Sequence, residues 1–264
     1  MLELMEILVT GLHGFIGQVL KETFEKNGHH VFTASREALL TGNEELKDAA
    51  RRADIVVNLA GESIAGRWTD EKMIEIVESR RCITRNLVRC IQGSEKKPLL
   101  WINASAVGVY KPDTFCDEYS ADLGHHFLAG VIKVWEGEVA QLVLHKLKPM
   151  IKSRVAVIMG NGKQEFPLIH VEDVAGFVMY VLDHRDMEGV YNLVIPNAVT
   201  YREFVRSLAV IRKPLFTVVL PEWLLWLLMG ESAYTLTRSA HVIPMRMMTS
   251  GYELKYRTVR EIVH

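Results

Sequence analysis

Three glycines, Gly11, Gly14 and Gly17, recur at every third position directly after an apolar run, in the stretch ILVTGLHGFIG. Glycine reaches backbone angles closed to other residues and puts no side chain between main chain and ligand. Between a strand and a helix, such a loop turns tightly. It presents successive N–H groups and the positive end of the helix to an anion, here the pyrophosphate of a dinucleotide. Contacts to that cofactor are expected from Gly11, Leu12, His13, Gly14, Phe15, Ile16 and Gly17. A plain strand-to-helix turn could use the same glycines, so the surrounding order decides: strand, loop, helix and second strand follow in the sequence that dinucleotide binding requires.

The second strand closes on Thr33, Ala34, Ser35 and Arg36 rather than on an acidic residue. A carboxylate there would hold the ribose hydroxyls of NAD. Arg36 can instead pair with a 2′-phosphate and stack on adenine, and Ser35 adds a hydroxyl donor. These residues select NADP(H) over NAD(H), although an arginine at a strand end is also an ordinary solvated residue. The next strand runs into Asn58, Leu59, Ala60, Gly61 and Glu62, and its small residues let a cofactor lie against the backbone at Leu59, Ala60 and Gly61. Glu62 is then either a carboxylate beside the cofactor or a cap for the following segment.

Short, branched, apolar runs at 4–10, 30–34, 55–59, 99–104 and 155–159 have the character of strands. They alternate with helical patterns at 15–27, 44–52, 70–91 and 127–147. Alternation at this spacing predicts an α/β fold, a doubly wound parallel sheet with helices on both faces. After Met159 the rhythm changes: 172–182 and 201–211 are helical, 190–194 is strand-like, and the tail mixes short helices with Pro214, Pro221 and Pro244. The chain therefore divides into a dinucleotide-binding part, 1–161, and a smaller mixed lobe, 162–264, interleaved with the sheet on the substrate side.

Composition narrows the function. Lys and Arg number 31 against 32 Asp and Glu, a net charge of −1, which disfavours nucleic acid or an anionic membrane as principal partner. The 3 cysteines are odd in number and lack metal-ligand spacing, so reduced thiols are expected and no metal site. The first residues lack a basic segment before the opening strand. The most apolar stretch, 215–229, holds Pro221 and Glu222 and is too short to span a bilayer. A cytoplasmic protein acting on a small molecule is the expectation.

GLHGFIG, VVNLAGE, ASAVGVY, the pair Trp135-Glu136 and FPLIHVEDVA together resemble the extended short-chain dehydrogenase/reductases, the NAD-dependent epimerase/dehydratase family. NLAGESI, RWTDEK, ESRRCITRNL, LPEWLL and HVIPMRMMTSGYELKY narrow the resemblance to one subgroup. Its members are called epimerase family proteins, or predicted nucleoside-diphosphate-sugar epimerases, and carry a small C-terminal domain of unknown function. The resemblance implies a Rossmann fold and, as in the parent family, the option of a homodimer through two paired long helices.

The parent family's relay is Tyr-x-x-x-Lys on one helix face, and here it is missing. None of the 8 tyrosines is followed four residues later by lysine. By the resemblance the tyrosine would fall on Phe127 or Leu128 and the lysine on Val131 or Ile132. The assisting serine position is Ala106, with Ser105 one residue early, and Arg80 stands where the parent family tends to place asparagine. After Gly160 the subgroup usually has a glycine-rich stretch of about twenty more residues, a loop placed to cover the nicotinamide and substrate; either that lid is lost here or the loop is missing from this sequence.

A displaced proton donor must then come from Arg80, Ser105, Tyr110, His126 or His170, with Lys163 and Gln164 nearby. Ser105 is also an expected cofactor contact. Each has an ordinary alternative: His125 and His126 can form the polar entry to a helix, and His170 can be a structural histidine beside Asp173, which caps or orients a helix start. Three readings follow: an NADP(H)-dependent oxidoreductase with a displaced proton donor, a cofactor-binding protein without turnover that signals to a protein partner, and a sugar-nucleotide epimerase.

Overall fold

The computed structural model describes residues 4–139, 156–212 and 217–263. Its centre is a parallel sheet in the order β2–β1–β3–β4, with β1 at Glu6–Thr10, β2 at His30–Phe32, β3 at Ile55–Asn58 and β4 at Leu100–Asn103. Helix α1 (Phe15–Lys26) joins β1 to β2. Helices α2 (Arg36–Thr41) and α3 (Glu44–Arg52) lead to β3, and α4 (Asp70–Gly93) leads to β4.

Successive side chains on a strand point to opposite faces, and here both faces are buried. Ile7, Val9, Ile55, Val57 and Ile102 form one core with Ile16, Leu20 and Phe24 of α1. Leu8, Val56 and Trp101 form the other with Leu46 and Ala50 of α3 and Ile83, Leu87 and Ile91 of α4. Each fully buried aliphatic side chain contributes about 1.5–3 kcal/mol, so uninterrupted apolar strands are what two covered faces demand.

Beyond the sheet lie β5 (Phe115–Cys116), α5 (Phe127–Val139), β6 (Ala156–Met159), α6 (Val171–Asp183), α7 (Tyr201–Arg212) and β7 (Thr217–Leu220). They are followed by α8 (Glu222–Met229), α9 (Tyr234–Thr237), β8 (His241–Val242), α10 (Met245–Thr249) and α11 (Val259–Val263). The helix expected at 127–147 is seen to Val139; residues 140–147 fall outside the described residues.

Two strand expectations need correction. The fifth run, seen as β6, pairs in parallel with β7 rather than extending the four-stranded sheet. An apolar branched run reads alike whichever strand receives it, because pairing is a non-local choice. The stretch 190–194, buried from Tyr191 onward, forms no strand. Its Asn192 N–H goes to the Glu118 carboxylate at 2.8 Å, and the Ile195 N–H goes to the Leu168 carbonyl at 2.8 Å. Backbone groups satisfied in this way need no ladder.

The C-terminal part shares the sheet's core. Helix α6 lays Val174, Phe177, Val178 and Val181 against the α1 side, and Met247 joins the same cluster. Asp173, 1% exposed, was expected to serve a helix start, yet the ring of His170 caps α6 through the Glu172 N–H at 3.3 Å. The Asp173 carboxylate instead holds the tail, accepting the Lys255 N–H at 2.7 Å and the Tyr256 N–H at 3.0 Å. Among the described residues no helix is long and apolar enough to cross a membrane.

Replacing Asp173 with Ala removes a buried acceptor from two amides, and each such group left unsatisfied costs about 1–3 kcal/mol. Hydrogen exchange should show the Lys255 and Tyr256 amides losing protection while β1 and β3 keep theirs. Unchanged protection at both amides would contradict the clasp.

Candidate cofactor and catalytic site

The glycine loop forms the turn its sequence requires. Gly11 sits at φ +69°, and a Cβ there would lie 3.0 Å from the Leu59 carbonyl carbon. At Gly17 a Cβ would come within 2.4 Å of the Gly11 oxygen, so only glycine lets α1 start this close to the loop. Gly14 has ordinary angles (φ −76°) and is the N-cap; no side chain caps α1 and its first turn holds no acidic residue. The first-turn N–H groups and the positive helix end are left for an external anion. Leu12 and Ile16 turn their side chains into the core, so only their backbone can face a ligand; His13 and Phe15 are exposed.

Thr10, Asn58 and Asn103 close β1, β3 and β4 at one register level. Asn58 accepts the Thr10 hydroxyl at 2.7 Å and donates to Asn103 Oδ1 at 2.6 Å and to Thr84 Oγ1 at 2.9 Å. Thr10 Oγ1 in turn accepts the N–H groups of Leu59 and Ala60, both at 3.0 Å. The indole N–H of Trp135 reaches Thr84 Oγ1 at 3.0 Å. This buried network fixes the path of the backbone after β3 and ties α4 and α5 to the sheet edge.

Gly61 leaves room for Arg80: a Cβ at that glycine would lie 2.9 Å from the guanidinium carbon. Arg80 Nη1 donates to the Glu62 and Ile76 carbonyls, each at 3.0 Å, and the guanidinium lies 5.2 Å from the Trp135 ring centre. Burial pulls its pKa down to about 10, partly opposed by Glu62, which leaves it charged at neutral pH. Arg80 thus braces the loop that carries Gly61 and Glu62.

The phosphate candidates are engaged by carboxylates. Ser35 caps α2 by accepting the Ala38 N–H at 3.1 Å, while its own N–H and hydroxyl donate to Glu45 at 2.6 and 2.7 Å. Arg36 pairs with Glu62 at 3.0 Å, and Lys72 holds the other Glu62 oxygen at 2.7 Å. Lys72, then Arg36, drag the Glu62 carboxyl down to about 2.

The five candidate proton donors separate. Ser105, 3% exposed, donates its hydroxyl to Glu136 Oε1 at 2.5 Å. Burial raises the Glu136 carboxyl above the usual range, the Ser105 hydrogen bond pulling the other way. Tyr110 is buried against Asn192, 3.1 Å from Oδ1, and burial raises its phenol. The His126 ring accepts the Ala129 N–H at 3.4 Å near the start of α5 and packs on Tyr234 at 4.9 Å. Burial, then Lys133, lower its pKa. His170 packs on Tyr256 in the tail at 3.9 Å. Val131 and Ile132, at the vacated lysine position, are buried.

Arg80, Trp135, Glu136 and Ser105 therefore gather at the ends of β3 and β4, Trp135 packing on Ala104, the residue before Ser105. Sequence reasoning missed the chemistry of Glu136 and of Glu45. Glu136 stands four residues after Ile132 and eight after Leu128, so its spacing put it on the vacated face. Among the described residues no group of His, Cys, Asp or Glu could hold a metal.

The NAD dependent epimerase/dehydratase family model matches residues 7–126, and a domain of unknown function, DUF1731, matches residues 220–264. Epimerase family protein SDR39U1 of Mus musculus is 30% identical, with 97% of each chain covered. Epimerase family protein YfhF of Bacillus subtilis (strain 168) is 29% identical, covering 96% of this chain and 94% of its own. The structure of human epimerase family protein SDR39U1 (isoform2) with NADPH superposes with a TM-score of 0.84 at 25% identity, over 98% of both chains. The YfhF alignment runs over 287 residues against a chain of 264, so that relative carries residues with no counterpart here. The fold is a Rossmann-type α/β fold, and the chain belongs to the NAD dependent epimerase/dehydratase family, with the DUF1731 domain at its C-terminal end.

Proposed function

We propose that the chain is an NADP(H)-binding oxidoreductase acting on a small molecule, in which Ser105 and Glu136 take the proton-transfer role that Tyr-x-x-x-Lys has in the parent family. The observation that carries this reading is the hydrogen bond from the buried Ser105 hydroxyl to the half-buried Glu136 carboxylate at the C-terminal edge of the sheet. Open α/β sheets bind their ligands at that edge. The uncapped start of α1 and the close approach of Gly11 to Leu59 fit a pyrophosphate, and the NADPH carried by human SDR39U1 supports reading Ser35 and Arg36 as ligands of the 2′-phosphate.

Bound there, NADP(H) would supply or accept the hydride. Ser105 would pass its hydroxyl proton to the oxygen of a carbonyl undergoing reduction and recover one from the protonated Glu136 carboxyl. In the oxidative direction the proton moves the opposite way. Arg80, charged and braced against Glu62 and Trp135, keeps the loop shape and adds positive potential beside the nascent alkoxide. A carboxyl whose pKa burial raises keeps its proton to higher pH than a solvated glutamate, which suits it to donate as a general acid.

Stopped-flow mixing of the NADPH-loaded protein with a panel of aldehydes and ketones tests this directly. Oxidation of NADPH should fall by roughly 10²-fold or more in Glu136→Gln and in Ser105→Ala, with the NADPH Kd unchanged in Glu136→Gln. Equal rates in wild type and both variants would remove the pair from the chemistry. NADPH binding by the wild type with no carbonyl reduced would favour a cofactor-binding protein without turnover, in keeping with the apolar residues at the vacated relay positions.

The same carboxyl makes stability depend on pH. Burial raises its pKa on folding, so the native state binds a proton more readily than the unfolded chain. The stability gained in this way is complete below the ordinary carboxylate range and is lost as pH rises through the raised native value. Denaturant unfolding at roughly pH 4 and pH 8 should show Glu136→Gln gaining on the wild type as pH rises. A difference independent of pH would mean that Glu136 titrates like a solvated carboxylate.

A further inference from the structure

Ser35 and Arg36 carry the reading of a 2′-phosphate site, and in the structure both already hold anions. The two Glu45 oxygens divide between the Ser35 N–H at 2.6 Å and the Ser35 hydroxyl at 2.7 Å. This is the two-point contact that two oxygens of a phosphate would make. One Glu62 oxygen lies 3.0 Å from Arg36 Nη2 and the other 2.7 Å from Lys72 Nζ. We infer that Glu45 and Glu62 are the chain's own counter-anions for the ribose-phosphate subsite, and that they set how strongly the site prefers NADP over NAD. The inference rests on the dinucleotide reading above and adds the residues that tune it.

The charges make the point. Arg36 and Lys72 contribute two positive charges and Glu45 and Glu62 two negative ones, so the subsite is locally neutral before a ligand arrives. A phosphate monoester brings about −1.5 to −2 at neutral pH. It can take the Ser35 donors only if Glu45 leaves, and it can take Arg36 only if Glu62 gives it up. The two exchanges differ. Glu62 keeps Lys72 when it releases Arg36, and Arg36, with 72% of its side chain exposed, can turn outward at little cost. Glu45 has no second cationic partner among the contacts above and must return to water.

Acid does not open the subsite, because Lys72 and Arg36 hold the Glu62 carboxyl down to about 2. Entry of a phosphate is therefore a competition between anions and not a titration. NAD meets the reverse situation. Its ribose hydroxyls donate, and a carboxylate near the end of the second strand is a good acceptor for them. The same two glutamates that oppose the phosphate suit the unphosphorylated ribose.

Calorimetric titration with NADP+ and with NAD+, on the wild type and on Glu45→Gln and Glu62→Gln, tests the inference by binding alone. Each variant should raise the preference for NADP+ over NAD+ by about tenfold or more, the scale of one charge-assisted contact. The double variant should exceed either single one. An unchanged ratio in both single variants would overturn the inference, and so would a shift towards NAD+, which would mean that the glutamates hold Ser35 and Arg36 in place for the phosphate. The two variants are independent, so failure of one to fold leaves the other as the test. A wild type that binds neither dinucleotide would overturn the cofactor reading and this inference together, whereas binding of both with an unmoved ratio overturns only the inference.

Discussion

The structure depends on one buried polar tie, the side chain of Asn58. It is fully buried at the end of β3, where it joins Thr10, Asn103 and Thr84. Loss of Asn58 would take the acceptor from the Thr10 hydroxyl and the donor from Asn103 Oδ1, at about 1–3 kcal/mol apiece, while Thr84 would keep the Trp135 indole. Satisfied, the network does positional work: a connected set of buried hydrogen bonds permits one arrangement where apolar packing tolerates several. Thr10 holds the Leu59 and Ala60 amides, and that fixes the loop against which Gly11 packs. Thr84 receives the Trp135 indole, and that fixes the rotation of α5. With Trp135 pinned, the next residue, Glu136, is presented to Ser105. The anion-binding loop and the proposed acid are thus consequences of a single tie.

The same tie explains how a helix can be core wall and machinery at once. Helix α5 buries Ala129, Val131, Ile132 and Trp135. The residues that in the parent family would be ionisable have here become part of the wall. The ionisable group on that face lies one turn along, at Glu136, where burial raises the pKa and a serine hydroxyl supplies the contact. A carboxyl in this setting holds its proton to higher pH than an ordinary solvated glutamate does.

Much of this was legible in the residues. The glycine spacing, the apolar strands and the helix over Glu44–Arg52 follow from local rules that the structure obeys. So does the polar residue closing each of Thr10, Asn58 and Asn103, once the three strands are laid in register. What could not be read was pairing between distant segments. The run over Ala156–Met159 has a strand's character, but nothing local says that Thr217–Leu220 will receive it. Asp173 precedes an apolar helix face, yet its partners lie some eighty positions along the chain. Nothing local marks Glu45 either, because its clasp on Ser35 reaches back across the whole of α2. Ser35 itself carried a local signal: a serine before Arg36, Glu37 and Ala38 is a helix cap, and α2 starts there.

The central claim is that the buried tie delivers Glu136 through Ser105 to the reacting end of the cofactor. A crystal structure of the chain with NADP+ bound tests it most directly. The account predicts Ser105 Oγ as the nearest polar side-chain atom to the nicotinamide C4, at about 4 Å, with Glu136 directly behind it. A nicotinamide seated against Val131 and Ile132 with Ser105 and Glu136 out of reach would contradict it.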